Sequence, residues 1–190
     1  MEYGSHIQEA LPAGLLPLHI DAATAFGSGQ HESTEGCLKA LSLLSEQNFF
    51  VRPLDMGCGS GILALAMARL WEVPVLACDN DPEAVRVTYE NARVNSLDSF
   101  IEVQVSEGFS ALKNKTFDII TANILAGPLC QMAGDVGRVL MPGGFIVLSG
   151  LLNRQAEDVI DAYRSIGTKL VNQLLIGDWS TLIMRKEDHG

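Results

Sequence analysis

Leu54-Asp55-Met56-Gly57-Cys58-Gly59-Ser60-Gly61 is the stretch on which the reading of this chain turns. The residues at 51–56 form a short apolar run of strand type, and those at 61–71 are rich in leucine, isoleucine and alanine, as a helix would be. Three glycines at alternate positions join the two. A strand that turns this tightly into a helix, with a ligand lying on the backbone, needs residues without a Cβ. Twenty residues after Gly59, a second apolar run at 73–78 ends at Asp79. An acid there is placed to accept from the two hydroxyls of a ribose. The pattern predicts a nucleoside-containing cofactor.

Working outward, apolar runs at 100–105, 117–123 and 144–149 continue the series, with helical patterns at 82–96 and 127–140 between them. Pro82 marks a helix start. Pro142-Gly143-Gly144 reads as a turn before the fifth strand. This alternation predicts a parallel sheet covered by helices on both faces. An amphipathic helix at 153–166 follows, then two closing strands at 169–176 and 180–184 around Gly177-Asp178, making seven strands. Upstream, Phe26-Gly27-Ser28-Gly29-Gln30-His31-Glu32-Ser33-Thr34 is a glycine-rich loop running into a helix at 34–46. Residues 1–19, with Gly4, Pro12, Gly14 and Pro17, read as an extended lead-in without a core of its own, and 20–190 as one domain.

Composition narrows the classes. The chain has 190 residues, 47% of them hydrophobic, and a net charge of −10. That suits a globular domain. It lacks the basic clusters of a nucleic-acid binder and complements a basic protein partner. No apolar run reaches the ~20 residues of a membrane span, and the first residues lack a signal-peptide pattern. A cytoplasmic location is expected. Cys37, Cys58, Cys78 and Cys130 are widely spaced, without C-x-x-C or paired histidines, so neither a metal site nor a disulfide framework is expected.

The spacing of the glycines chooses among cofactors. A dinucleotide site reads G-x-G-x-x-G, whereas this turn reads G-x-G-x-G. S-adenosylmethionine has no pyrophosphate; it needs a tight turn for its amino-acid moiety, a helix N-terminus near its carboxylate, and an acid for its ribose. Asp55, Gly57, Cys58, Gly59, Gly61 and Asp79 are the candidate contacts. For the adenine, Asn80 and Glu107 are placed on the loops after the second and third strands, although Glu107 fits an ordinary solvated loop as well. Asn123 ends the fourth strand, on the same rim as Gly57 and Asp79. Its side-chain carbonyl can accept an amine N–H and aim the nitrogen lone pair at a methyl group; an Asx-type turn is the plainer alternative.

Three segments together, 26–34, the Asp55–Leu63 run and Ala122-Asn123-Ile124-Leu125-Ala126-Gly127-Pro128-Leu129, resemble the bacterial ribosomal protein L11 methyltransferase family over about residues 18–186. The resemblance implies a Rossmann-like class I methyltransferase fold, with a mostly parallel seven-stranded sheet and an antiparallel closing strand. It implies transfer of methyl groups from S-adenosylmethionine to lysine and N-terminal amines of that ribosomal protein, leaving S-adenosylhomocysteine. Thr34, Gly57, Asp79 and Asn123 match the family's cofactor positions, and Phe26 and His31 match the loop that packs over cofactor and substrate. The loop departs from the commoner Gly-Thr-Gly-Thr-His at Ser28 and Gln30. Family members carry a small N-terminal substrate-recognition domain; fewer than twenty residues precede the matching region, so that domain is expected to be absent. A monomer is the expected state.

The expected reaction is direct displacement by a neutral amine oriented by Asn123, with His31 either relaying a proton or only packing its own loop. An N-methyltransferase for another protein lysine or small amine would share these motifs. So would a non-catalytic S-adenosylmethionine-binding domain.

Overall fold

The computed structural model describes residues 17–20, 32–112 and 114–188. In chain order the elements are α1 (Glu32–Ser45), β1 (Pro53–Met56), α2 (Ile62–Trp71), β2 (Val75–Asp79), α3 (Pro82–Val94), β3 (Ile101–Val105), β4 (Phe117–Asn123), α4 (Ala126–Val139), β5 (Leu140–Leu152), α5 (Ala156–Arg164), β6 (Thr168–Ile176) and β7 (Trp179–Lys186). The seven strands form one sheet in the order β3-β2-β1-β4-β5-β7-β6. The first five pair in parallel, and β7 runs antiparallel to both β5 and β6. The expected Rossmann-like architecture and its antiparallel closing strand are both present.

Strand periodicity explains the layering. Successive side chains of a strand point to opposite faces. Leu54, Leu76, Ile120, Ile146 and Leu182 pack into one core with Leu129 and Val136 of α4 and Val159 and Ile160 of α5. Val75, Ala77, Ile119, Val147 and Ile183, on the opposite face, pack with Cys37 and Leu41 of α1, Leu65 and Met67 of α2 and Ala92 of α3. Both faces being covered, the central strands read as continuous apolar runs. Among the described residues no helix is long and apolar enough to cross a membrane.

Two boundaries differ from the sequence reading for local reasons. The first strand begins at Pro53 because the N–H groups of Val51 and Arg52 are taken by the Asp118 carboxylate, at 2.7 and 2.9 Å. Pro142-Gly143-Gly144 does not stand before β5 but inside it: β5 starts at Leu140, and its register on β4 shifts between the Phe117↔Leu140 and Ile119↔Phe145 pairs. The turn signal is realised as a bulge, with Gly143 at φ +73°.

Candidate functional site

A cleft of about 440 Å³ opens at the carboxyl ends of the parallel strands. Its lining follows the order of the sheet: Asp79 and Asn80 after β2, Gly57 to Ser60 after β1, Asn123 to Leu125 after β4, Gly150 in β5 and Trp179 at the start of β7. Ser33 and Thr34 of α1 and Ile62 and Leu63 of α2 complete it. Crevices at this edge are where open α/β sheets bind ligands. Because β7 is antiparallel, its first residue reaches the same edge as the last residues of the others.

At the β1–α2 turn, Gly57, Gly59 and Gly61 have φ of +74°, +55° and +81°. A Cβ on Gly57 would lie 2.7 Å from the Ile124 side chain, so glycine lets the turn and the β4–α4 loop close on one cleft. The N–H groups of Gly57 and Cys58 both donate to Cys78 O. Gly59 N–H donates to Asp79 Oδ2 and Asp81 N–H to Asp79 Oδ1, each at 3.0 Å. The carboxylate is therefore fixed to the glycine turn, with lone pairs left to accept further donors.

The turn is also braced from α3, a support the sequence reading missed. Thr88 donates to Gly59 O at 3.1 Å and lies 3.3 Å from Cys58 Sγ, and Asn91 Nδ2 donates to Ser60 O at 2.8 Å. The place a Gly61 Cβ would occupy is taken by Thr88 Cγ2, 2.7 Å away. The available signal was polar residues three apart on an otherwise buried helical face.

Three predicted contacts stand elsewhere. Asp55 lies beneath the turn, fully buried, accepting from Ala64 N–H at 3.1 Å and Thr121 Oγ1 at 2.7 Å. Burial pushes its carboxyl up to about 7, the nearby Asp79 adds to this, and its two hydrogen bonds oppose it. Its task is to pin α2 and β4 to β1, because it sits two residues deeper than the strand ends that meet the cleft. Gly61 is the N-cap of α2 and meets α3 rather than the cleft. Glu107 lines a separate hollow with Phe109, Asp135 and Arg138. The loop bends there because Ser106 N–H donates to Asp79 O and the Ser106 hydroxyl to Gly108 O.

The remaining described candidates come together. Thr34, Gly57, Cys58, Gly59, Asp79, Asn80 and Asn123 all line the cleft. Asn123 Nδ2 donates to Thr34 Oγ1 at 3.2 Å, leaving its Oδ1 as the acceptor. Burial pushes the Cys58 thiol far above its ordinary range, so it stays neutral. Phe26 and His31 lie outside the described residues. Trp179, Leu125 and Gly150 were not foreseen as lining residues. A Cβ on Gly150 would fall 2.4 Å from Ile124 O, which explains the glycine. Trp179 carried no local signal; only the strand order brings it to the rim.

Among the described residues Asp79 is the only charged one lining the cleft, at its β2–β1 half. The β4–β5–β7 half is lined among the described residues by Ile124, Leu125, Gly150 and Trp179, with Asn123 and Thr34 as its polar side chains. Such a cleft can hold a polar nucleoside at one end and an uncharged nucleophile with an aliphatic stem at the other.

A profile of the ribosomal protein L11 methyltransferase (PrmA) family matches residues 6–187. Over 187 residues the chain is 42% identical to the ribosomal protein L11 methyltransferase of Rhodopseudomonas palustris (strain BisB5), covering 97% of this chain and 63% of that protein. It is 41% identical to the one of Chelativorans sp. (strain BNC1), covering 97% and 64%. The chain thus spans somewhat under two thirds of the length of these relatives. Among solved structures, the ribosomal protein L11 methylase of Lactobacillus delbrueckii subsp. bulgaricus superposes with a TM-score of 0.87 at 24% identity, over 98% of this chain and 94% of that one. An RNA methyltransferase from Salinibacter ruber, solved with S-adenosyl-L-homocysteine, gives 0.65 at 14% identity, over 80% and 92%.

Proposed function

The chain belongs to the ribosomal protein L11 methyltransferase family, and on that footing we propose that it transfers methyl groups from S-adenosylmethionine to lysine and N-terminal amines of ribosomal protein L11. The observation that carries the reading is the side chain of Asn123, tied to Thr34 in the same cleft as the glycine turn and Asp79. Residues 20–190 act as the methyltransferase domain, with 1–19 as its lead-in. A cytoplasmic, monomeric protein fits this role.

The residues fit the cofactor. Asp79, already held against Gly59 N–H, has lone pairs for two ribose hydroxyls. Gly57 and Gly59 present bare backbone to the amino-acid moiety. Among the described residues no lysine or arginine lines the cleft, as suits a ligand without phosphates and with a positive sulfonium. When bound, the sulfonium supplies an activated methyl and its own leaving group.

The chain's own contribution is to deliver a neutral amine. Asn123 Oδ1 accepts one N–H of the incoming amine and orients its lone pair. Ile124, Leu125 and Trp179 desolvate the nitrogen, which favours its uncharged form. The oriented nitrogen would take that methyl as its bond to sulfur breaks, and His31 is the proposed relay for the proton the nitrogen would then lose. Positioning supplies most of the rate.

Mass spectrometry of ribosomal protein L11 after incubation with this chain and S-adenosylmethionine tests the reading, with other basic proteins as parallel acceptors. Methylated L11 is the expected product. Cofactor binding without transfer to any acceptor would reduce the chain to a binding domain. Asn123→Ala should slow transfer about a hundredfold while changing cofactor affinity less than about threefold. Asp79→Ala should do the reverse, weakening S-adenosylmethionine binding by more than about tenfold in calorimetry.

A further inference from the structure

We propose that Ser149, which lies outside the cleft lining, is a positioning residue that fixes Asn123 for methyl transfer. Ser149 is fully buried and pairs with Asn123 in the β4–β5 register, one residue before Gly150. It holds Asn123 from two sides. Its backbone carbonyl accepts from Ile124 N–H at 3.1 Å, fixing the main chain next to Asn123. Its hydroxyl donates to Ser33 O at 3.1 Å, and Thr34, the next residue of α1, accepts from Asn123 Nδ2 at 3.2 Å. Ser149, Ser33, Thr34, Asn123 and Ile124 therefore close a ring around the amide.

The rest of the hydroxyl's surroundings join the same parts. Thr181 Oγ1 lies 2.8 Å away and Ser180 O 3.2 Å away, both on β7. Gly36 seats α1 on that strand, since a Cβ there would be 2.1 Å from Thr181 Oγ1. One side chain thus sets the spacing of α1, β5 and β7 where Thr34, Gly150 and Trp179 line the acceptor half of the cleft. A hydroxyl buried between a helix and a sheet is costly unless bonded. An alanine would pack there with less to satisfy, but it would leave the first turn of α1 without its tie to β5. The glycine turn and Asp79 are held separately, by Cys78, Thr88 and Asn91.

The kinetic arm of this inference rests on the methyl-transfer reading; the spectroscopic arm does not. The side-chain amide signals of Asn123 in the full chain, assigned by their loss in Asn123→Asp, are followed by 15N NMR. Ser149→Ala is expected to move both signals, as Thr34→Val does by cutting the last link. Transfer to L11 should fall about tenfold or more, with S-adenosylmethionine affinity changed less than about threefold. Thr181→Val, which removes a neighbouring buried hydroxyl but leaves the Ser33 tie, should leave the Asn123 signals in place. Ser149→Cys keeps the volume, weakens the bond and gives the same readout should the alanine variant not fold. Asn123 signals unmoved in the Ser149 variants, or moved equally by Thr181→Val, would overturn the proposal. If the unmutated chain transfers no methyl to L11, the functional reading falls, and the amide signals still decide the role of Ser149.

Discussion

Asp55 pairs with Ala77, two residues before Asp79 on the neighbouring strand, and burial sets the two acids apart. Asp79 meets the cleft and is held by backbone N–H groups. Asp55, removed from water, has its carboxyl raised to about 7, against an ordinary carboxyl of about 3.9. The folded state therefore keeps a proton that the unfolded chain releases, so stability is fullest below about pH 4 and declines as pH rises toward 7. Urea unfolding should show about 2 kcal/mol of this loss between about pH 5 and pH 7. Asp55→Asn, which keeps an acceptor for Ala64 N–H and a donor for Thr121, should flatten the dependence over that window. An unchanged pH profile in the variant would assign the slope to other groups.

The glycine turn and α3 are matched in shape. Gly61→Ala would carry two separate costs, a left-handed backbone at φ +81° and a clash with Thr88 Cγ2. The first is about 1–2 kcal/mol for a residue with a Cβ, and overpacking adds about 1–3 kcal/mol. Thr88→Ser deletes the clashing methyl but keeps the hydroxyl, 2.9 Å from that Cβ, so the double variant should recover part of the second cost and none of the first, read from denaturant midpoints. Full additivity of the two variants would show that the methyl and the Cβ never meet. The elements themselves were legible because each carries its period: apolar runs for strands, Pro82 for a helix start, glycines for the turn. The brace was not, because Thr88 and Asn91 become meaningful only when α3 is laid beside the turn. The place of Asp55 was hidden for a similar reason: its partners, Ala64 N–H and Thr121, come from α2 and β4 and are met only in the fold. Glu107 lines a separate hollow, on a loop after β3 that bends on the Ser106 bonds, which its sequence position did not show.

Across the molecule, the cleft crosses five adjacent strands, so a ligand filling it ties most of the sheet together. S-adenosylmethionine at a hundred times its Kd should stabilise the fold by about 2.7 kcal/mol. For a chain of this size that is roughly 5–10 °C in Tm; no shift at saturating cofactor would contradict the proposed binding. The net charge of −10 predicts that KM for a basic protein acceptor rises with salt, while cofactor affinity barely moves. The cleft's walls also have an order in time. Thr34 and Trp179 face the same space from 145 positions apart, near opposite ends of the described elements. On a ribosome the glycine turn and Asn123 emerge early, but β7 supplies Trp179 and the only sheet neighbour that β5 has on its outer side. A nascent chain can shape its nucleoside end long before its acceptor end exists. The acceptor end of the cleft therefore waits on β7, the last of the described strands to be made.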